Sequence, residues 1–556
     1  MESIRDIHPE RVTSEKEFQD VLYVLLNAME DLQSQNRDLK YENQLLRDEN
    51  NRLKGGNGRP DIKPSKKPGD ISSQGKEHGK VIKDRGKNKP REDRSIEIDR
   101  EITIKMERFQ LPADAVFQGY DKYIQQDLII ERSNTQYLLG VYYSPSEGKR
   151  YRAALPEGVI KGHFGPGISS LITVLHHYCN VTESKLCGIL DGFGVQISSG
   201  SVSNLLKGSH QWAVSEQGAI LQAGLADKAP KQMDCTGNRE CGVNKVTHII
   251  TSPVFSAFYT LGSKSRIDCL RALQGNPGKN IQLQWYEGME DLWLASGVKT
   301  SDCHTVMALL KEKGMEVLCI SELEELLRDR TPDIYKKSRI VHILVESMAL
   351  YYYKGQNNFL PLKVLLTDDA PEYGKIADYQ ALCWVHDARY YNKLAPTTRA
   401  LTDILNAFKS QYWDFYQSLL DYKDLTPARQ QERKGEITAK FNQLFDTASR
   451  YGALDKCIER TRANKEKLLR VLDFPDLPLH NNAAELAARR VVRKRDISLH
   501  TMTKWGTELR DAFLSIIETA QKQGISAYHY IRDRVTQQYN MTSLADLITQ
   551  RVTPAF

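Results

Sequence analysis

Leucine recurs every seven residues near the start of this 556-residue chain, at Leu25, Leu32, Leu39, Leu46 and Leu53, with Phe18 on the same register. Three positions before each leucine stand Leu22, Met29, Asn36, Asn43 and Asn50. Such a repeat can only be one continuous helix whose apolar stripe needs a cover, so residues 17–54 are expected to form a coiled coil. Leucine seals the seam. Asparagine at the alternate seam position costs stability, but it fixes register and favours a parallel two-stranded arrangement. Few residues flank the seam to cover it otherwise, so self-association as a homodimer or higher oligomer through residues 17–54 is expected. An amphipathic helix packed on its own domain is the alternative.

The chain is too long for one hydrophobic core, so several domains are expected. No apolar run approaches the roughly 20 residues of a membrane helix, and no membrane partner is expected. The opening MESIRDIHPERV lacks an apolar signal core, which argues against secretion. Nine cysteines are dispersed singly with no CxxC pair, which fits a reducing cytoplasm and offers no zinc-ribbon ligands. Between Gly55 and Arg94 stand 12 Lys and Arg against 6 Asp and Glu, a surplus equal to the whole formal charge of +6. This linker, residues 55–95, is rich in Gly, Pro, Lys and Ser and is expected to be disordered. Its charge fits a mobile basic arm near a polyanion or a solvated spacer.

Order is expected to resume at 96–160, where IEIDREITIKMERF and YLLGVYYSPSEGKRYRAAL alternate in a β-like manner and suggest a small sheet. Residues 161–225 turn helical, and SSGSVSNLL opens a last helix after serine caps. The layout fits a helix-turn-helix whose last helix enters a major groove, and equally an ordinary helical subdomain. Residues 231–262 read as a strand meander followed by a helix, the way a ribonuclease-H-like fold begins. The core is placed at 226–395 and 476–535, split by a helical insertion at 396–475. The expected class is therefore multidomain α+β or α/β.

Three acids stand out by context among the 71 in the chain. VLLTDD is apolar and ends in carboxylates, placing Asp368 at the rim of a buried sheet, where ligands bind in α/β folds. Asp234 follows Met233 in a similar strand. Glu485 lies in the first turn of a helix that Asn481 or Asn482 could cap. Ala483, Ala484, Ala487 and Ala488 let that helix lie close to the sheet, and Arg489 and Arg493 follow Glu485 on one face at i+4 steps. Hard divalent cations prefer such oxygens, so three acids suit a phosphoryl-transfer centre with two ions about 4 Å apart.

The segments QMDCTG around Asp234, LLTDDAPEY around Asp368, CWVHDARYY from Cys383 to Tyr391, and HNNAAELAARR around Glu485 make the chain resemble the transposases of insertion sequence family 66. The similarity runs from about Pro156 to Arg534. It implies a leucine zipper, a helical DNA-binding region and a DDE core of ribonuclease-H-like fold. Asp234, Asp368 and Glu485 become the implied catalytic triad and metal ligands, for two Mg²⁺ or Mn²⁺ ions. His386 and Arg389 occupy the family's Trp-x-His and arginine positions and are implied to approach DNA, with a satisfied structural histidine as the alternative for His386. Arg489, Arg490, Arg493 and Lys494 are implied to approach DNA phosphates, while Cys383 and Trp384 read as core. The chain departs from the family at 96–156, where cysteine pairs are missing, so no zinc is expected. Asp369 adjoins Asp368; Asp368 is preferred because Tyr373 then keeps the family spacing.

The resemblance implies a DNA transposase at the bacterial nucleoid in the cytoplasm. It would bind the terminal inverted repeats of its element, cut a strand and join the freed 3′-hydroxyl to target DNA, with possible helper proteins. The rivals are a catalytically silent transposase-derived DNA-binding dimer and a ribonuclease-H-like nuclease that never joins ends.

Overall fold

The computed structural model describes residues 14–53, 98–107, 110–112, 114–156, 162–275, 281–314, 317–355 and 362–552. The basic linker expected at 55–95 lies outside the described residues, as do the side chains of Asn50 and Leu53. Two units make up the chain, Asn43–Glu131 on the one hand, and Met1–Glu42 with Arg132–Phe556 on the other.

Helix α1 (Glu15–Leu53) realises the heptad stretch as 39 continuous residues. A capping box opens it: the Glu17 amide donates to Ser14 Oγ and the Ser14 amide to Glu17 Oε2, which satisfies two amides that the first turn leaves without partners. Phe18, Leu22, Leu25, Met29, Leu32, Leu39 and Leu46 are all exposed. The opposite face behaves differently. Tyr23 and Leu26 pack on the second hydrophobic core of the molecule, and Glu30 is buried.

In the unit Asn43–Glu131, the expected strand in IEIDREITIKMERF does not form. Residues 98–107 have no regular secondary structure, and Ile102, Ile104 and Met106 are exposed. Alternation makes a strand only where a neighbouring edge accepts it, and none is present among the described residues of that unit. The second expected stretch, in the other unit, does form a hairpin of β1 (Val141–Ser144) and β2 (Lys149–Arg152), with Tyr142 opposite Tyr151.

Four helices follow: α2 (Pro166–His177), α3 (Glu183–Gly192), α4 (Ser199–Gly208) and α5 (His210–Ala226). Ser198 caps α4 by accepting from the Ser201 amide. The meander is β3 (Lys231–Glu240), β4 (Val243–Thr251) and β5 (Ser256–Leu261), followed by α6 (Arg266–Leu273). The next stretch holds β6 (Gln282–Gln284), α7 (Met289–Ala295), α8 (Thr300–Lys313), β7 (Val317–Cys319), α9 (Ile320–Arg330), α10 (Pro332–Tyr335) and α11 (Ser338–Gly355). Its small antiparallel pair, β6 with β7, joins helices across a stretch whose sequence is mainly helical in pattern.

The chain then returns to the main sheet with β8 (Val364–Thr367) and β9 (Tyr379–Leu382). The five-stranded order is β5-β4-β3-β8-β9. The meander is antiparallel, whereas β3, β8 and β9 run parallel. All four residues of β8 are buried, as expected of a parallel strand covered on both faces.

Helix α12 (Trp384–Asn392) leads into α13 (Arg399–Lys423), α14 (Pro427–Phe445), α15 (Gly452–Ala463) and the short α16 (Lys465–Leu468). These build the second core around Trp384, Tyr412, Phe415, Phe441 and Phe445, with Cys383 and Trp384 buried as expected. Helix α17 (Asn482–Ser498) crosses back over β3 and β4, where Ala487, Ala488 and Val491 meet Ile249 and Phe258. It is followed by α18 (Lys504–Lys522), α19 (Ala527–Val535) and α20 (Leu544–Val552). Among the described residues no helix is long and apolar enough to cross a membrane.

Helix α18 closes the exposed side of the sheet. Edge strand β5 presents the alternate amides of Ser256, Phe258 and Thr260. They donate to Thr519 Oγ1, Ser515 Oγ and Asp511 Oδ2, at 3.2, 3.0 and 2.6 Å. These acceptors recur at i+4 along one helix face. An edge that would otherwise template another strand is thereby capped by side chains.

Candidate active site

The parallel register of β3 and β8 pairs Gln232 with Leu366. Asp234 and Asp368 each stand two residues further on, so the first two acids are neighbours across strands spaced about 4.8 Å apart. The Asp234 carboxylate is drawn into the sheet and accepts from the Cys235 amide at 2.7 Å. Burial above all, then the charges of Asp368 and Glu485, push its pKa up to about 7. Asp368 Oδ1 accepts from the Ala370 amide at 3.2 Å, which turns the chain sharply after β8.

The third acid is brought in by a loop that is fastened on both sides. Asn481 Nδ2 donates to the Met233 carbonyl at 2.9 Å, one residue before Asp234. On the other side the Asn481 amide donates to Cys383 Sγ, and the Trp384 amide donates to the Leu479 carbonyl at 3.0 Å. Asn481 therefore does not cap α17 with its side chain, contrary to expectation; its carboxamide staples the helix start to β3 instead. Ala484, fully buried, lets α17 approach closely, and Glu485 falls in its first turn. This explains why HNNAAE and CWVH act together: one segment is hydrogen-bonded to the other.

Arg389, on α12, faces Glu485 and donates from Nη2 to both carboxylate oxygens, at 2.9 and 3.0 Å. Its Nη1 lies 2.7 Å from His386 Nε2. An arginine only donates, so His386 accepts there and is neutral. Burial, then the Arg389 charge, lower the His386 pKa and agree with that state. The 3.6 Å approach of His386 Nδ1 to Glu485 is then a contact and not an ion pair.

Asp369 points elsewhere. Its carboxylate receives Arg460 Nη2 from α15 at 2.6 Å and Tyr390 OH at 3.2 Å. Burial pushes its pKa up, but these donors outweigh burial and hold it below the usual value. The same Arg460 reaches Asp387 through Nη1 at 3.0 Å and stacks 3.3 Å from the centre of the Tyr390 ring.

Hard oxygen donors are therefore present at Asp234, Asp368 and Glu485. Among the described residues no three His, Cys, Asp or Glu side chains form a ready-made ligand set. Both oxygens of Glu485 are engaged by Arg389. The donor set nevertheless suits Mg²⁺ or Mn²⁺, since such an ion usually takes one or two carboxylates and completes its shell with phosphate oxygens and water.

The basic residues of α17 divide. Arg493 is exposed and Arg489 half-buried. Arg490 pairs with Glu518 at 2.7 Å. Lys494, expected at a DNA phosphate, is 7% exposed and donates to the His176 carbonyl at 2.7 Å. Burial lowers its pKa to about 8. The helical period explains this correction: Lys494 lies three residues after buried Val491 and so on the inner face. Arg460 and Asn481 escaped the sequence reading as site residues. Asn481 lies inside the HNNAAE motif, which is a signal for it, whereas CIERTRANK around Arg460 reads as an ordinary charged helix.

The mixed sheet thus carries Asp234 on β3 and Asp368 just after β8, with Glu485 on a helix packed across it. The family described as Transposase IS66 family matches residues 353–509, which span the second acid, α12, the helical insertion and the third acid. The chain is also 30% identical over 316 residues to an uncharacterized protein, y4jO, of Sinorhizobium fredii (strain NBRC 101917 / NGR234); the match covers 57% of this chain and 94% of that protein. The chain belongs to the IS66 transposase family.

Proposed function

We propose that the chain is a DNA transposase with a ribonuclease-H-like core in which Asp234, Asp368 and Glu485 are the catalytic acids. What supports this reading is the parallel register of β3 and β8, which sets Asp234 and Asp368 near neighbouring strand ends, together with the Asn481 staple, which ties the start of the Glu485 helix to β3. The sheet order, a three-stranded antiparallel meander continued by two parallel strands, supports the core assignment. Between Asp368 and Asp369 the reading favours Asp368, because Asp369 is committed to Arg460 and Tyr390. In domain terms the core comprises 226–395 and 476–535, the insertion 396–475, the helical DNA-binding region 161–225 and the zipper 17–54.

Two divalent ions held by these acids would activate the attacking hydroxyl and stabilise the leaving oxygen. The chain's own groups do the rest. Asp234, with a pKa near 7, holds a proton in part of the molecules at neutral pH and must release it to act as a ligand. Arg389 keeps Glu485 oriented and lies where a phosphate can compete for its guanidinium. Arg489 and Arg493 extend from Glu485 along α17 and offer a track for a DNA backbone; Lys494 is left out of that track. The exposed leucines of α1 are the surface through which two copies would pair, giving an assembly that holds two element ends and target DNA.

The test uses the full chain with a labelled duplex taken from the DNA flanking its gene, with Mg²⁺ or Mn²⁺. Wild type should nick the duplex at its element end and join the 3′-hydroxyl to a second duplex. Glu485→Gln should bind the end within about threefold of wild type and yield no cleavage. Cleavage at the wild-type rate by Glu485→Gln would refute the triad, and nicks with no joined product would make the chain a nuclease.

A further inference from the structure

The helical insertion contributes a residue to the acid cluster from outside the sheet. Arg460, on α15, bridges Asp369 in the loop after β8 and Asp387 on α12, at 2.6 and 3.0 Å. Its guanidinium lies flat on Tyr390, whose hydroxyl donates to the same Asp369. The side chain is only 24% exposed. Asp387 is almost fully buried and accepts in addition from Thr461 Oγ1 at 2.8 Å and Tyr412 OH at 3.1 Å. One planar cation thus ties together three elements: the loop holding Asp368, the helix carrying His386 and Arg389, and the insertion.

We propose that Arg460 is a positioning residue for metal binding: by gripping Asp369 it holds the adjoining Asp368 towards Asp234, and by gripping Asp387 it sets the helix whose Arg389 orients Glu485. This inference rests on the proposed catalytic triad. The geometry is demanding, because an arginine forks to two carboxylates and stacks on a ring at once, and lysine cannot do all three. Groups that orient metal ligands in this way typically cost 10–100-fold in metal affinity when removed.

The experiment titrates Mn²⁺ into the full chain with its flanking duplex and reads free Mn²⁺ by electron paramagnetic resonance, alongside thermal melting. Arg460→Ala should weaken Mn²⁺ binding 10–100-fold. Saturating Mn²⁺ should restore most of the cleavage rate, and Arg460→Lys should fall between. A merely structural role would lower the folded fraction without moving the Mn²⁺ dependence of the folded molecules, and that result would overturn the inference. If Asp369 were itself a ligand and Arg460 its competitor, Arg460→Ala would tighten Mn²⁺ binding, which would also overturn it. Should Arg460→Ala fail to fold, Asp369→Ala cuts the same link while leaving the Arg460–Asp387 pair in place. It should weaken Mn²⁺ binding in the same direction but by less than Arg460→Ala is expected to, and unchanged binding would overturn the inference. Asp368→Asn separates the two readings: unchanged Mn²⁺ affinity there refutes the triad, whereas loss there with wild-type affinity in Arg460→Ala refutes only the clamp.

Discussion

The sheet and the helical insertion handle buried carboxylates in opposite ways. In the sheet, Asp234 is drawn inward with no ion-pair partner among the described residues, and it accepts a hydrogen bond from the Cys235 backbone amide. Its pKa consequently rises to about 7. In the insertion interface, Asp387 lies deeper, yet Arg460, Thr461 and Tyr412 surround it with donors. Burial still raises its pKa, but those donors work against the rise. An acid that is buried and left without a cation is costly to the fold, and such a cost persists where function needs the charge. An acid that is buried and fully bonded is part of the architecture.

The contrast can be broken most severely at the chemistry. Asp234→Asn should cut cleavage about a thousandfold or more, since losing a carboxylate ligand removes several kcal/mol of transition-state stabilisation. A gel assay of the labelled duplex reads it. Asp387→Ala should do the reverse of its sheet counterpart on stability, costing roughly 3–5 kcal/mol by leaving Arg460 partly unpaired beside a void; melting in urea measures it.

Asp234→Asn should meanwhile stabilise the metal-free fold, by up to roughly 4 kcal/mol at pH 8. The sign follows from the raised pKa. The unfolded chain releases this proton near the ordinary aspartate value of 3.8, whereas the folded chain keeps it to about 7. Wild-type stability therefore falls as pH rises through that window, and the advantage of Asn grows from pH 4 to 7 and levels off above it. A larger gain at pH 5 than at pH 8 would contradict this. The smallest effect is expected at Arg490→Ala. Its pair with Glu518 is half-exposed on the arginine side, so the loss should stay within about 1 kcal/mol.

Much of this architecture is legible in the sequence where a pattern and its partner are both encoded. The heptad of α1 and the β3–β5 meander each have a periodicity that only one element satisfies, and the apolar VLLT of β8 is marked as a buried strand by the turn-forming residues that follow it. The alanines of α17 announce close packing, and they deliver it at Ala484, Ala487 and Ala488. The illegible parts depend on partners distant in the chain. Residues 98–107 alternate like a strand, but no edge receives them. The four-residue β9 is too short to show a period, and it exists because β8 offers an open parallel edge. Asn481 looks like a helix cap, yet its carboxamide finds the Met233 carbonyl 248 positions away. Arg460 carries no local mark at all; its role arises because the insertion folds back onto the loop after β8.

The two faces of α1 have a mechanical corollary. Its inner face does not merely rest on the insertion. Asn27 Oδ1 accepts from the Gly452 amide at 2.8 Å, at the first residue of α15, and Glu30 receives the hydroxyl of Tyr451 just before it. Eight residues further along the same rod sits Arg460. If two copies join along their outward leucines, the joint is one rigid lever away from the loop that carries Asp368, so assembly at one end of α15 would be felt as alignment at the other.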